Sequence, residues 1–219
     1  MPQRSTGPAV AAPFTAATDA AGFPPAAAWL TASPIHFDTD WCGGNPDSQR
    51  ATGVRLLWTP ATLYLKFVAR YRVITVFPDA DPTGRRDKLW DRDVAEVFLQ
   101  ADPRDARHYS EFEVSPNGFW IDLDINNGAL ADLRSGLQRR VTIDEPSKTW
   151  TAELAIPINS LTPHFDPQAV WRVNFYRVEG RSEPRFYSAW QPTNTPQPNF
   201  HVPNRFGHLK FAPASPCGW

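Results

Sequence analysis

Apolar and polar positions alternate along much of this chain, and the alternation predicts strands. Residues 63–70 are the clearest case: Leu63, Leu65, Phe67 and Ala69 fall on one face, Tyr64, Lys66 and Arg70 on the other. Residues 54–58 precede them across a Thr-Pro-Ala-Thr turn, so the two segments read as a hairpin. Residues 109–115 and 120–125 alternate as strictly, joined by the turn signal Pro116-Asn117-Gly118. Here the pattern assigns Phe112, Val114, Ile121, Leu123 and Ile125 to the core. It puts Tyr109, Glu111, Glu113, Trp120, Asp122 and Asp124 together on the opposite face. Acids facing one another repel. That face therefore calls for cations, metal or water, with Lys66 and Arg70 as candidate partners.

Between the hairpins, residues 94–99 send Ala95, Val97 and Leu99 one way and Val94, Glu96 and Phe98 the other. A glutamate between two apolar neighbours is unusual for a strand facing water. It suits either a ligand site or a carboxylate satisfied by a nearby Lys or Arg. Residues 137–143, 150–156 and 171–178 continue the strand pattern, with Trp171, Val173 and Phe175 inward and Arg172, Asn174 and Tyr176 outward. Residues 186–190 read as a short strand. A Pro- and Asn-rich loop follows over 191–204, then a closing strand over 206–211. Residues 158–161 read as a short helical turn. About ten short strands without a strong helix predict an all-β fold, an antiparallel β-sandwich with long Pro-rich loops. One sheet would carry a polar outer face rimmed by aromatics.

Composition agrees. The 23 prolines disfavour helices and suit loops and strand edges. Nine Trp and 14 Phe supply more aromatic surface than packing needs, which suits binding. Residues 1–28 are rich in Ala, Pro and Thr and read as an extended, loosely ordered arm, with the sandwich domain over 29–219. A net charge of −1 without a basic stripe argues against nucleic acid as a partner. No apolar run approaches the length of a membrane span. No charged segment followed by an apolar core opens the chain. A cytoplasmic monomer is the default expectation, secreted or periplasmic if the N-terminus is trimmed. Cys42 and Cys217 offer one disulfide pairing, whose geometry the sequence does not fix.

Sugars show hydroxyls at the ring edge and C–H patches on the ring face, so they are bound by stacked aromatics flanked by polar groups. Trp90 and Trp190 both sit at loop–strand junctions next to polar residues. Glu96, Glu111, Glu113, Asn174 and Tyr187 offer hydrogen bonds nearby. The alternative is that both tryptophans roof the sandwich. Two other functions compete: a glycoside hydrolase pairing Glu96 with Glu111 or Glu113, and a structural sandwich that binds a partner. Hydrolase carboxylates stand about 5–9.5 Å apart. No Gly-x-Ser-x-Gly or His-Glu-x-x-His motif is present. Asp79-x-Asp81-x-Thr83-Gly84 opens like a calcium loop, but its twelfth position is Trp90, so the EF-hand pattern fails.

The stretch Trp90-x-x-Asp93-x-x-Glu96-Val97-Phe98 resembles the Trp-x-x-Asp-x-Val-Glu-x-Phe motif of carbohydrate-binding module family 9. Trp190, the Pro-rich loop and Phe206-Gly207-x-Leu209 are similar to that family's end. The likeness runs from about Phe37 to Phe211 and is nearest to stand-alone, family 9-like bacterial proteins. It implies a β-sandwich that binds carbohydrate without catalysis, in the context of polysaccharide catabolism, often alongside glycoside hydrolases. It further implies a saccharide ring held between two tryptophans, at the positions of Trp90 and Trp190, with Glu96 as a sugar-binding glutamate. Two positions depart: Glu113 stands where the family has Arg, and Tyr187 where it has Asn. Calcium is a structural feature of the family's true modules, but no loop here matches well enough to assign ligands. No cofactor and no metal residue is therefore assigned.

Overall fold

In the computed structural model, which describes residues 7–213, the alternating segments pair into two sheets packed face to face. The strands are Ala9–Pro13 (β1), Ile35–Phe37 (β2), Thr52–Trp58 (β3), Thr62–Arg70 (β4), Val94–Gln100 (β5), His108–Val114 (β6), Trp120–Asn126 (β7), Ala129–Asp132 (β8), Gln138–Asp144 (β9), Thr149–Pro157 (β10), Trp171–Glu179 (β11), Phe186–Ala189 (β12) and Gly207–Ala212 (β13). One sheet runs β1-β13-β11-β5-β6-β7-β8, with β12 also paired to β11; the other runs β2-β3-β4-β10-β9. All these pairings are antiparallel except β1 with β13. No α-helix occurs among the described residues. Cys217 lies outside them, and so does the pairing with Cys42 that the sequence left open.

The strand count exceeds the expected ten because β1, β2 and β8 are short edges with little alternation to read. The N-terminal arm contributes the first of these. Ala9 to Pro13 lies alongside His208 to Ala212, with Val10 and Ala12 turned into the core. Proline is tolerated there because an edge strand's outer N–H needs no partner.

The main core fills the space between the sheets. Leu63, Leu65 and Phe67 of β4 meet Val97 and Leu99 of β5, Phe112 and Val114 of β6, and Val173 and Phe175 of β11. A second apolar cluster covers the outside of the first sheet and includes Val94, Phe98, Tyr109, Tyr176, Phe200 and Phe206. Its last two members come from the loop over residues 191–206, which lies across this face. A third cluster places Phe23, Trp29 and Ala32 over Leu57, Tyr64 and Ala155 outside the second sheet. Full burial of one such aliphatic or aromatic side chain stabilises by about 1.5–3 kcal/mol.

The faces of β7 are the reverse of the expected assignment. Ser115 N–H donates to Phe119 C=O, and the register pairs Val114 with Trp120, Glu113 with Ile121 and Glu111 with Leu123. Residues paired across a ladder share a face, so Ile121, Leu123 and Ile125 join the outer cluster. Trp120 packs on the main core instead. Asp122 turns away from the glutamates and accepts from Ser135 N and Oγ, while Asp124 meets His108 Nε2 at 2.7 Å. The alternation was real, but both faces of this sheet are buried, so periodicity alone could not tell them apart. Lys66 and Arg70 belong to the other sheet. Lys66 pairs with Glu153 at 2.9 Å and Arg70 donates to Ser48 C=O, so neither serves the glutamates of β5 and β6.

Candidate functional site

A cavity of about 260 Å³ opens on the outer face of the first sheet. Its floor is made by Glu96 and Phe98 of β5, Glu111 of β6, Leu123 of β7 and Val178 of β11. These side chains converge because the registers place Glu96 opposite both Glu113 and Tyr176, and Phe98 opposite Glu111. Trp90 rises on one side from the 3-10 turn Leu89–Asp91. Arg185 and Tyr187 rise on another, two residues apart and therefore on one face of the extended chain leading into β12. Residues 198–201 of the crossing loop complete the wall.

The walls are braced from behind. Arg185 Nη1 donates to Trp90 C=O at 2.7 Å, and its guanidinium lies 4.8 Å from the Tyr187 ring centre. Tyr187 Oη donates to Glu183 at 2.6 Å. Phe200 stacks on Tyr176 with ring centres 4.2 Å apart. Tyr109 Oη lies 3.0 Å from His201 Nδ1, and the His201 ring rests against Phe98.

The floor carries the unusual chemistry. Glu96, Glu111 and Glu113 are 2%, 3% and 0% exposed, and one carboxylate oxygen from each lies within 4.8 Å of the others. Burial pushes the Glu96 carboxyl well above the ordinary carboxylate range, and the charge of Glu111 adds to it against opposition from Arg185 and Arg177. Burial also raises Glu113 well above that range, followed by the charges of Glu96 and Glu111. Burial raises Glu111 as well, opposed by its contact with Glu113 and by His201. Glu111 and Glu113 are close enough to share a proton. No N–H or hydroxyl donor reaches Glu96 Oε1, Glu111 Oε2 or either oxygen of Glu113. Glu113 sits behind the other two, outside the cavity lining.

Five of the seven residues expected at the site gather here: Trp90, Glu96, Glu111 and Tyr187 in the lining and Glu113 beneath it. Two do not. Asn174 is buried, and its amide is fully engaged: Oδ1 accepts from Phe175 N and Gln191 N, and Nδ2 donates to Tyr176 Oη and Gln191 C=O. It anchors the crossing loop and has no hydrogen bond left for a ligand. Trp190 lies on the opposite side of the sheet. Tyr187 pairs with Val178 and Ala189 with Tyr176 on the outer face, so the next residue turns inward. Its ring packs on Phe175, 5.5 Å between centres, at the rim of the main core. A ring cannot be held between Trp90 and Trp190 when the sheet separates them. Trp190 also lies against Gly207, where a Cβ would stand 2.7 Å from two ring carbons and 2.9 Å from Pro8 C=O. Gly207→Ala is expected to cost about 1–3 kcal/mol through overpacking. Urea unfolding checks this.

Arg185 and His201 are lining residues the sequence reading missed. Arg185 had a usable signal, since it precedes Tyr187 by two. His201 had none, because an irregular loop carries it.

The family model for carbohydrate-binding family 9 matches residues 61–211. An extracellular protein of Arthroderma benhamiae is 28% identical over 196 residues, covering 81% of this chain and 85% of its own length. Among solved structures, a candidate carbohydrate-binding protein from Bacteroides uniformis superposes with a TM-score of 0.74 at 17% identity, covering 94% of this chain and 100% of that one. A carbohydrate-binding module of family 9 from Caldicellulosiruptor kristjanssonii in complex with cellotriose gives 0.66 at 15% identity, covering 95% of each chain. In complex with glucose it gives 0.67 at 16%, covering 95% of this chain and 97% of that one. At such identities the structural likeness is one of fold.

Proposed function

The chain belongs to carbohydrate-binding family 9, and from that premise we propose that it binds a small saccharide in the cavity beside Trp90 without cleaving it. The observation that carries this reading is an aromatic-walled cavity floored by carboxylates, Trp90 and Tyr187 above Glu96 and Glu111. Trp90 offers a face for the C–H patch of a sugar ring. Glu96 and Glu111 accept from hydroxyls, and Arg185 donates. At about 260 Å³ the space falls just short of the range of roughly 300–1,000 Å³ usual for small-ligand sites. It suits one or two sugar units at a chain end better than the middle of a polymer.

The carboxylates are arranged for binding rather than hydrolysis. A retaining pair stands about 5–5.5 Å apart and an inverting pair about 6.5–9.5 Å, flanking the bond from two sides. Here the three acids cluster on one side of the cavity, Glu113 behind Glu96 and Glu111, with oxygens within 4.8 Å. None is held ionised beside another held protonated by a different environment; burial raises all three.

A glycan array followed by calorimetry tests the proposal, with glucose and cellotriose among the probes. Trp90→Ala is expected to weaken binding at least tenfold, about 1.4 kcal/mol. Trp190→Ala, where folded, is expected to leave affinity within about threefold of the parent, well under that margin. Unchanged binding by Trp90→Ala would remove the cavity from consideration. Equal losses in both variants would restore the two-tryptophan arrangement.

A further inference from the structure

We propose that Glu96, Glu111 and Glu113 hold one hard divalent cation at the floor of the Trp90 cavity, and that saccharide hydroxyls complete its coordination. The first half stands on the cluster alone; the second rests on the saccharide reading above.

The geometry fits one ion. Oxygens of the three residues lie within 4.8 Å of one another, the span of two bonds of about 2.4 Å meeting at a single calcium ion. The donor set is all carboxylate, without sulfur or a ring nitrogen, which selects hard cations over zinc or copper. Three carboxylates supply fewer ligands than the six to eight oxygens calcium takes. Glu113 closes the site from behind while Glu96 and Glu111 face the cavity, so the open positions point to where a ligand enters.

The second observation is the set of oxygens without donors. Glu96 Oε1, Glu111 Oε2 and both oxygens of Glu113 are buried with no N–H or hydroxyl partner. A buried charge is costly unless paired and hydrogen-bonded. Among the described residues no ion pair neutralises these three. Arg185 is held by Trp90 C=O and Glu183, and Arg177 by Glu179 and Val94 C=O. A proton shared between Glu111 and Glu113 would satisfy only part of the set. An ammonium group would leave two negative charges buried, whereas a divalent ion leaves one, within reach of the fields of both arginines.

Metal-stripped protein titrated by calorimetry with calcium, magnesium and manganese chlorides at pH 7.5, with no saccharide present, is the test. One equivalent is expected to bind, at least tenfold more weakly to Glu113→Gln and unchanged to Asp102→Asn. Asp102 is exposed and pairs with Arg104, far from the cluster in role. Near-UV circular dichroism confirms the fold of each variant, and Glu111→Gln replaces Glu113→Gln if the latter misfolds. Absence of binding by all three cations, or wild-type affinity in the folded Glu variant, overturns the site. A failed glycan screen leaves this titration standing. Where a saccharide is found, chelator is expected to weaken its binding at least tenfold. Persistence in chelator overturns the coupling, and an amino sugar that binds only the metal-stripped protein overturns the cation in favour of an ammonium group.

Discussion

Asp93→Ala is expected to lower stability by about 3–5 kcal/mol, the range for leaving a buried charge without its partner. At 2–4 °C per kcal/mol for a domain of this size, the midpoint should fall by roughly 6–20 °C. Asp93 is fully buried. Its Oδ2 accepts from Thr75 N at 2.9 Å and its Oδ1 from Gly180 N at 2.7 Å, tying the strand entry to two other segments. Beside it Arg177 is also fully buried, 3.3 Å from Glu179 and 5.2 Å from the Trp150 ring centre. Burial raises the Asp93 carboxyl, and Arg177 and the two backbone donors pull it back. The attraction between Asp93 and Arg177 therefore adds little. The loss comes from what truncation leaves behind: two backbone N–H groups and one guanidinium with half its counter-charge. Asp93→Asn should fall between, keeping one acceptor and removing the charge. Denaturant unfolding measures both, and a loss below about 1 kcal/mol in Asp93→Ala would show that Glu179 alone suffices for Arg177.

Glu113→Gln is expected to stabilise the metal-free protein at pH 8 and to lose that advantage in acid. Glu113 faces Glu96 and Glu111, and the charge of Asp91 also reaches it. All of these, after burial itself, hold its carboxyl well above the ordinary value of 4.5. A group raised in this way binds its proton more tightly folded than unfolded. The stability it contributes is complete below about pH 4.5 and fades as pH rises through the folded value. Glutamine carries no charge, and its amide can donate to the neighbouring carboxylates. Relieving an unsatisfied buried group is worth about 1–3 kcal/mol. Thermal unfolding from pH 4.5 to 8 in chelator should show the variant pulling ahead of the parent with rising pH. A variant less stable than the parent at pH 8 would contradict the repulsion. Should the cation site hold, added calcium narrows or reverses the order, because the parent binds it at least tenfold more tightly than the variant.

How much was visible in the sequence follows from which surfaces are buried. Alternation in β4, β5 and β11 placed Leu65, Val97 and Phe175 inward and Glu96 and Tyr176 outward as the structure has them. In β7 the same signal gave the wrong face, because Phe200 and Phe206 make the outer side of this sheet apolar too. Three of the motif's residues separate by role. Trp90 lines the cavity and Glu96 floors it, while Asp93 braces the strand between them. Trp190 was misplaced for lack of a pairing partner. Its side of the sheet depends on Ala189 lying opposite Tyr176, which no local pattern reveals. The β1 segment was legible only as extended chain, since Ala-Val-Ala-Ala-Pro offers too little contrast between its faces.

Asn174 has a consequence beyond the cavity. On the edge of β11, β12 pairs as far as Tyr176 and β13 begins at Val173, leaving a seam at Asn174 and Phe175. The Asn174 amide exchanges two hydrogen bonds of 2.9 Å with Gln191, as one peptide unit does with another across a ladder. Phe175 N donates to that same side chain, and Phe175 C=O accepts from Trp190 N. A counterfeit peptide group thus mends the ladder where the chain departs. An open stretch of sheet edge invites a foreign strand and seeds aggregation; here the break that admits a long surface loop presents no such template.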